Sequence, residues 1–106
     1  MYSAEEQLRD RNEARYAGTF AFLDGKIFSR SNISTDGQSL YSYGTHFPMA
    51  RKIQPGCIAV NVERYSTTTS KHQSAVKHVL AINGYTQTDT VWYLDDYEGR
   101  IWTRNA

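Results

Sequence analysis

The feature that most constrains the fold is a junction between a predicted buried strand and a predicted amphipathic helix. Apolar residues alternate with smaller or polar ones through Cys57–Val62, which is typical of a strand with one buried face. The helix is predicted to begin at Thr69 or Ser70, whose hydroxyls can cap it, and to run to Ile82. Between strand and helix, the segment Arg64–Gln73 holds a run of hydroxyls, two cations and an imidazole. If the chain has a chemical site, this junction is the first place to look.

The N-terminal segment predicts a second, weaker helix. Ser3-Ala4-Glu5-Glu6 is a capping box, in which a hydroxyl and a carboxylate three residues later satisfy the first amide groups. The apolar stripe that follows is thin, so this helix is expected to be peripheral over residues 1–17, or to dock on a partner, and to end at Gly18.

Asp24-Gly25 predicts a hairpin. The dipeptide lies between two alternating runs, Thr19–Leu23 and Lys26–Ser29, and a tight hairpin turn needs positive φ at its central residues. The polar segment Arg30–Ser39 is predicted to be a loop that contains a second turn.

The remaining strands are predicted over Ser39–Tyr43, Met49–Ile53, Thr90–Leu94 and Arg100–Thr103, with a loop at Asp95–Gly99. Gly44–Pro48 interrupts the strand pattern, which indicates a bulge or bend. The sequence therefore predicts one α+β domain over residues 1–106: a single twisted antiparallel sheet of about five to six strands, one covering helix and the peripheral N-terminal helix.

Composition narrows the classes of function. The chain has 106 residues and a net charge of +1, so there is no global electrostatic case for nucleic acid or membrane. Cys57 is the only cysteine, which excludes an internal disulfide and fits a reducing compartment. No apolar run approaches the length of a membrane span, and the acidic N-terminus is unlike a secretory signal. We expect a cytoplasmic protein without membrane association.

The junction is the first candidate site, for an anion. A helix N-terminus offers unpaired amide groups and the positive end of the helix dipole. Hydroxyls and cations next to it would suit a phosphate or carboxylate; the residues are Thr68, Thr69, Ser70, Lys71 and Arg64. The alternative is that these hydroxyls only cap the helix.

Two histidines are the second candidate. His72 is predicted on the helix face that meets the sheet, and His46 lies in the Gly44–Pro48 bend. If the two met, they would form a general acid–base pair of the kind a metal-free hydrolase needs. The alternative for His72 is a hydrogen-bonded core residue. The sequence lacks paired cysteines and HExxH, so no metal and no cofactor are expected.

Aromatic and basic residues form the third candidate, a partner-binding surface. Tyrosine and arginine are enriched at protein interfaces, and aromatics interleaved with cations can also stack bases. The candidates are Tyr41, Tyr43, Arg51, Lys52, Tyr65, Arg9, Arg11 and Arg15.

Two segments carry a resemblance to a known family. Tyr41–Ala50 contains SYGTHFP and Tyr65–Gln73 contains YSTTTSKHQ. These segments resemble a small domain of tailed phages and some microbial genomes, over roughly Leu40–Leu80. That family has no assigned activity, so the resemblance implies a phage-type origin and no catalytic residue.

The sequence thus favours a small phage-type binding protein that modulates or inhibits a host macromolecule, with defence-related proteins as the expected class. The partner would be a host protein or a protein–nucleic-acid complex in an infected or carrying bacterial cell, and self-association is a further expectation. The alternative is a small metal-independent hydrolase, nuclease or nucleotide-binding domain that uses His46, His72 and the helix start at Thr67–Ser70.

Overall fold

The computed structural model describes the backbone of residues 4–104 and the side chains of residues 13–104. In chain order the elements are α1 (Ala4–Leu23), β1 (Phe28–Arg30), β2 (Ile33–Thr35), β3 (Ser39–Ser42), β4 (Phe47–Gln54), β5 (Cys57–Asn61), α2 (Thr67–Ile82), β6 (Thr86–Leu94) and β7 (Tyr97–Thr103). The capping box predicted at Ser3-Ala4-Glu5-Glu6 and the side chains of Arg9 and Arg11 lie outside the described residues.

The seven strands form one sheet in the order β1-β2-β3-β4-β5-β7-β6, and every neighbouring pair is antiparallel. Strands β1 to β5 follow one another as a meander. After α2 the chain enters the edge strand β6 and returns as β7, which pairs with β5. The fold is therefore mostly sheet with two helices, and the prediction of five to six strands with one covering helix is wrong.

The predicted hairpin at Asp24-Gly25 is also wrong, because α1 continues through Gly18 to Leu23. The dipeptide ends this helix instead. Gly25 has φ of +73°, its N–H donates to the Phe22 carbonyl at 3.1 Å, and the N–H of Lys26 donates to the Ala21 carbonyl at 2.8 Å. This is a Schellman motif, which needs the same left-handed glycine as a hairpin turn. The local signal was therefore ambiguous between the two.

Tertiary packing explains why α1 runs through a glycine. A Cβ built on Gly18 would overlap Cγ2 of Ile33 and lie 3.2 Å from the Phe28 ring. The missing side chain lets β1 and β2 approach the helix closely. Nor is α1 peripheral, as predicted for residues 1–17: Ala14 and Phe22 are fully buried, and the helix contacts α2 and the first three strands.

Strand β2 lies in the segment predicted to be a loop. The chain reverses between β1 and β2 through Ser31 and Asn32, both at positive φ, so Ile33–Thr35 pairs with β3. At the other end, the predicted loop Asp95–Gly99 is a two-residue turn between β6 and β7. Both strands are longer than their apolar patterns indicated.

The main core lies between the helices and one face of the sheet. Its buried members come from both helices and most strands: Phe22, Ile33, Leu40, Phe47, Met49, Ala50, Ile58, Val60, Val76, Leu80, Tyr85 and Trp102. A smaller cluster of Ala59, Leu94 and Ile101 forms on the other face, since strand residues alternate between faces. The sheet coils enough for Asp95 to reach Arg51 on β4, at 3.2 Å between Oδ1 and Nη1. In the described part of the chain, no helix has the length and hydropathy of a membrane span.

Gly18→Ala tests the close approach of α1 to the sheet. Alanine has the higher helix propensity, by about 1 kcal/mol, but overpacking against a buried residue costs about 1–3 kcal/mol. We expect a net loss in the free energy of unfolding, measured by urea denaturation. In an Ile33→Ala background the overlapping atom is gone and only the tight contact with the Phe28 ring remains, so the same substitution should cost less. A loss of equal size in both backgrounds would contradict this packing account.

Candidate functional site

A buried polar network joins the start of α2 to β3. Ser42 Oγ lies 2.9 Å from His72 Nδ1 and 3.2 Å from Thr69 Oγ1. Ser42 and Thr69 are fully buried and His72 is 6% exposed. Their hydroxyl and ring nitrogen atoms satisfy one another where no solvent replaces a lost hydrogen bond.

The cap of α2 belongs to the same network. Ser66 is extended, with φ of −157°, and its Oγ accepts from the Thr69 N–H at 3.1 Å. The same Oγ lies 3.1 Å from Thr69 Oγ1. The cap therefore lies three residues before Thr69 and four before Ser70, the two caps that the sequence predicted. In a run of hydroxyls each residue satisfies the local capping preference, and the long-range contact with Ser42 selects which one caps.

A second set of hydrogen bonds extends the attachment to β4 and β5. Asn61 Nδ2 donates to the Pro48 carbonyl at 2.7 Å, and Asn61 Oδ1 accepts from the Glu63 N–H at 2.8 Å. Gln73 Nε2 donates to the carbonyls of Asn61 and Glu63 at 3.2 and 2.9 Å. Because Gln73 follows His72 on α2, the first turns of this helix are bonded to β3 and β5, and Asn61 carries the attachment to β4.

Burial favours the neutral form of the His72 imidazole. Desolvation lowers the pKa of its imidazole, and the positive charge of Arg15 on α1 lowers it further. The Ser42–His72 pair has the distance of a nucleophile and its base. However, the hydroxyl is fully buried and the ring nearly so, so a substrate has no access to either in this conformation.

The two candidate histidines are not joined. His46 is exposed in the turn between β3 and β4, where its N–H donates to the Tyr43 carbonyl at 3.3 Å. Within residues 13–104, no hydrogen bond links His46 to His72, and no group of three or more His, Cys, Asp or Glu could hold a metal ion.

The predicted anion-binding residues divide into two groups. Thr69 uses its hydroxyl inside the network, and Ser70 is half-buried. Arg64, Thr68 and Lys71 are exposed at the helix start. Thr69 is thus engaged within the fold, while Ser70 and the three exposed residues remain candidates.

Tyr43 and Tyr65, both predicted to bind a partner, lie together with two rings that the prediction missed. We call Tyr43, Phe47, Tyr65 and Tyr97 the aromatic cluster. The Tyr65 ring centroid lies 4.9 Å from Phe47 and 6.3 Å from Tyr43, and Phe47 lies 4.9 Å from Tyr97. Phe47 is buried, whereas Tyr65 is 53% exposed. The missed rings come from β4 and β7, which lie on either side of β5 in the sheet, and no local pattern indicates that strand order.

Arg51 and Lys52, two of the basic residues predicted to bind a partner, make their contacts with residues outside the aromatic cluster. Arg51 pairs with Asp95 and donates from Nε to Ser39 Oγ at 3.0 Å. Lys52 Nζ lies 2.9 Å from the Gly37 carbonyl, 3.4 Å from the Leu23 carbonyl at the end of α1 and 5.3 Å from the Phe22 ring centroid. Both cations therefore stabilise the fold. Tyr41 and Arg15 are half-buried, on β3 and α1 respectively.

In comparisons with known proteins, no family model, curated protein or solved structure matches this chain. Function must therefore be argued from the residues and their contacts.

The lowered pKa of His72 predicts a pH dependence of stability. The unfolded chain protonates His72 near its ordinary pKa of 6.5, whereas the folded chain resists protonation. The unfolded state then binds more protons as the pH falls below this value, so the free energy of unfolding should decrease. Urea denaturation between about pH 8 and pH 5 measures this dependence.

His72→Gln is the matched control, since glutamine is polar but does not titrate. His46 and His78 remain in both chains, so the difference between the two pH profiles reports His72. Identical profiles would contradict a neutral, buried His72.

Proposed function

We propose that this chain is a small binding protein that recognises another protein through the aromatic cluster and performs no chemistry of its own. The observation that carries the proposal is the half-exposed Tyr65 ring, packed against Phe47 and Tyr43. A ring held by neighbouring rings offers a large apolar contact and loses little side-chain freedom on binding. Tyrosines in such settings are frequent anchors of protein interfaces.

The segment that carries Tyr65 is fixed on both sides. Before it, the backbone of Asn61 and Glu63 is bonded to Gln73, and the Glu63 carboxylate accepts from the Glu98 N–H. After it, Ser66 caps α2. Preorganisation of this kind reduces the ordering cost of binding.

Charge supports a protein partner over a nucleic acid. The net charge is +1, and the Lys52 and Arg51 cations are engaged within the fold. Non-specific binding to phosphates requires many free cations. The exposed Arg64 next to Tyr65 fits a partner surface with an apolar pocket beside a carboxylate.

The resemblance to the phage-type domain adds the expectation that this partner is a host protein, with inhibition or modulation of a defence-related protein as the proposed outcome. The resemblance rests on SYGTHFP and YSTTTSKHQ, and the first contains Tyr43 and Phe47 while the second begins at Tyr65. Three of the four cluster rings therefore lie in the two segments that carry the resemblance.

The alternative, a small hydrolase, draws support from the 2.9 Å contact between Ser42 and His72. It would require an opening that exposes a fully buried hydroxyl and breaks the joint between α2 and β3. Binding through an already exposed surface requires no such change, so it is the better-supported function.

Affinity capture tests the binding proposal. The immobilised chain is exposed to a bacterial lysate, and the captured protein is then purified and titrated against the wild-type chain and Tyr65→Ala. Loss of an interface anchor costs about 2 kcal/mol or more, so we expect the Kd to rise at least about tenfold.

Tyr93→Ala is the matched control, because Tyr93 is 62% exposed but lies outside the aromatic cluster. Its titration should match the wild type. Equal affinity for wild type and Tyr65→Ala, or capture of no protein, would argue against the proposal.

A further inference from the structure

Helix α2 is held to the sheet in two different ways along its length. In its first turns, two buried side chains belong to the hydroxyl network described above, Thr69 and His72. The buried side chains of its second half are apolar: Ala75, Val76, Val79 and Leu80. Hydrogen bonds thus place the start of the helix, whereas apolar burial holds the rest. Because local openings follow the weaker set of contacts, the start of α2 should open before the rest of the helix.

The chain between Glu63 and Gln73 is attached at both ends. Gln73 Nε2 donates to the Glu63 carbonyl at 2.9 Å, a bond that does not involve His72. Between these two residues lies the stretch 65–72, which we call the switch segment and which begins with Tyr65. Breaking the hydroxyl network would therefore release the switch segment while Glu63 and Gln73 stay attached.

The hydroxyl protons of the network point toward His72. Each hydroxyl has one proton to donate, and the Ser66 hydroxyl donates to Thr69 Oγ1. The Thr69 proton is then left for Ser42 Oγ, and the Ser42 proton for His72 Nδ1. Nδ1 is therefore an acceptor, so the closed network requires a neutral ring that carries its proton on Nε2.

The groups around the His72 ring come from three elements, and within residues 13–104 none of them favours a charged ring. Ser42 on β3 and Thr69 on α2 do not titrate, and both would have to reverse their hydrogen bonds if Nδ1 gained a proton. Burial lowers the pKa of the imidazole, and the cation of Arg15 on α1 lowers it further. A protonated His72 is therefore better accommodated outside the network than inside it.

We infer that the switch segment is a proton-operated switch on the binding surface, closed while His72 is neutral and opened when His72 takes a proton from solvent. In the closed state, the cap of α2 and the network hold Tyr65 against Phe47. In the open state, the apolar half of α2 stays in the core, but the aromatic cluster loses its exposed ring. The effect on binding rests on the proposed function, because Tyr65 is the anchor proposed there.

Proton linkage sets the direction and the size of the effect. The open segment binds a proton near the ordinary histidine pKa of 6.5, whereas the closed segment resists it, so opening becomes more favourable as the pH falls. Between about pH 7.5 and pH 5.5, the equilibrium constant for opening should rise about tenfold. Acid should therefore reduce the fraction of chains that can bind a partner.

Amide hydrogen exchange of the free chain, followed by NMR, tests the switch. The N–H groups of Thr69 and Ser70 both donate to Ser66, so they report opening of the switch segment. The Leu80 N–H reports the apolar half of the helix. After correction for the intrinsic exchange rate, the opening constant at Thr69 and Ser70 should exceed that at Leu80 by about tenfold or more. It should also be insensitive to low concentrations of urea, because a local opening exposes little surface.

The same measurement at about pH 5.5 tests the role of the proton. The opening constant at Thr69 and Ser70 should rise about tenfold over its value at pH 7.5 in the wild type and stay constant in His72→Gln. Exchange at these two groups as slow as at Leu80, or a wild-type opening constant that does not change with pH, overturns the inference. Both outcomes are read from the wild type, so the test does not depend on whether His72→Gln folds. An equal rise in a folded His72→Gln chain overturns the inference too.

The protein captured by the chain connects the switch to binding. A partner that needs the closed segment should slow exchange at Thr69 and Ser70 by a factor set by its concentration relative to the Kd, about tenfold at ten times the Kd. Unchanged exchange in the complex would overturn the regulation and leave the proposed function intact. Capture of no protein, or equal affinity for wild type and Tyr65→Ala, would instead remove the proposed function, and with it the regulation of binding, whatever the free chain shows.

Discussion

The contact between Ser42 and His72 is the interaction on which the rest of the structure depends. It joins β3 to α2 across 30 positions of the chain, and Thr69 and Ser66 add the helix cap to the same network. Helix α2 covers the main core through Val76 and Leu80, so its placement decides whether those side chains are buried. The network also sets where the segment before the helix lies, and this segment carries Tyr65.

In the folded chain, the segment Arg64–Gln73 has a structural role on its buried side and a proposed binding role on its exposed side. Arg64–Gln73 contains hydroxyls, cations and an imidazole, which together suggested a chemical site. In the folded chain the inward members, Thr69 and His72, satisfy Ser42, while Tyr65 stays outside. Buried polar groups that satisfy one another make a helix position specific, since any shift would leave a donor or acceptor unpaired. The outward members are free to bind, which is why the binding proposal rests on them.

Elements with a strong local pattern were predictable, and those decided by distant contacts were not. Alternation identified Cys57–Val62 as a strand, observed at Cys57–Asn61, and the amphipathic pattern placed the end of α2 at Ile82, where it is observed. Asp24-Gly25 led to the wrong prediction of a hairpin, because a glycine at positive φ is as typical of a helix end as of a hairpin turn. The packing of Ile33 against Gly18, which resolves the ambiguity, involves residues fifteen positions apart. The candidate site was likewise predictable only in part. A buried His72 was one of the two alternatives that the sequence offered. Its partner Ser42 and the additional rings of Phe47 and Tyr97 were not predictable, because their positions depend on the strand order of the sheet.

The central claim is that the Ser42–His72 contact is a structural joint that holds α2 on the sheet. A double-mutant cycle with Ser42→Ala and His72→Phe measures it directly by urea denaturation, with exposed Ser74→Ala as the control. Leaving a buried polar group unsatisfied costs about 1–3 kcal/mol, so Ser42→Ala should lower the free energy of unfolding by that amount. The two substitutions should also be coupled by about 0.5 kcal/mol or more, while Ser74→Ala, at an exposed position inside α2, should not lower the free energy of unfolding. A Ser42→Ala effect no larger than the Ser74→Ala effect, with full additivity in the cycle, would contradict the account.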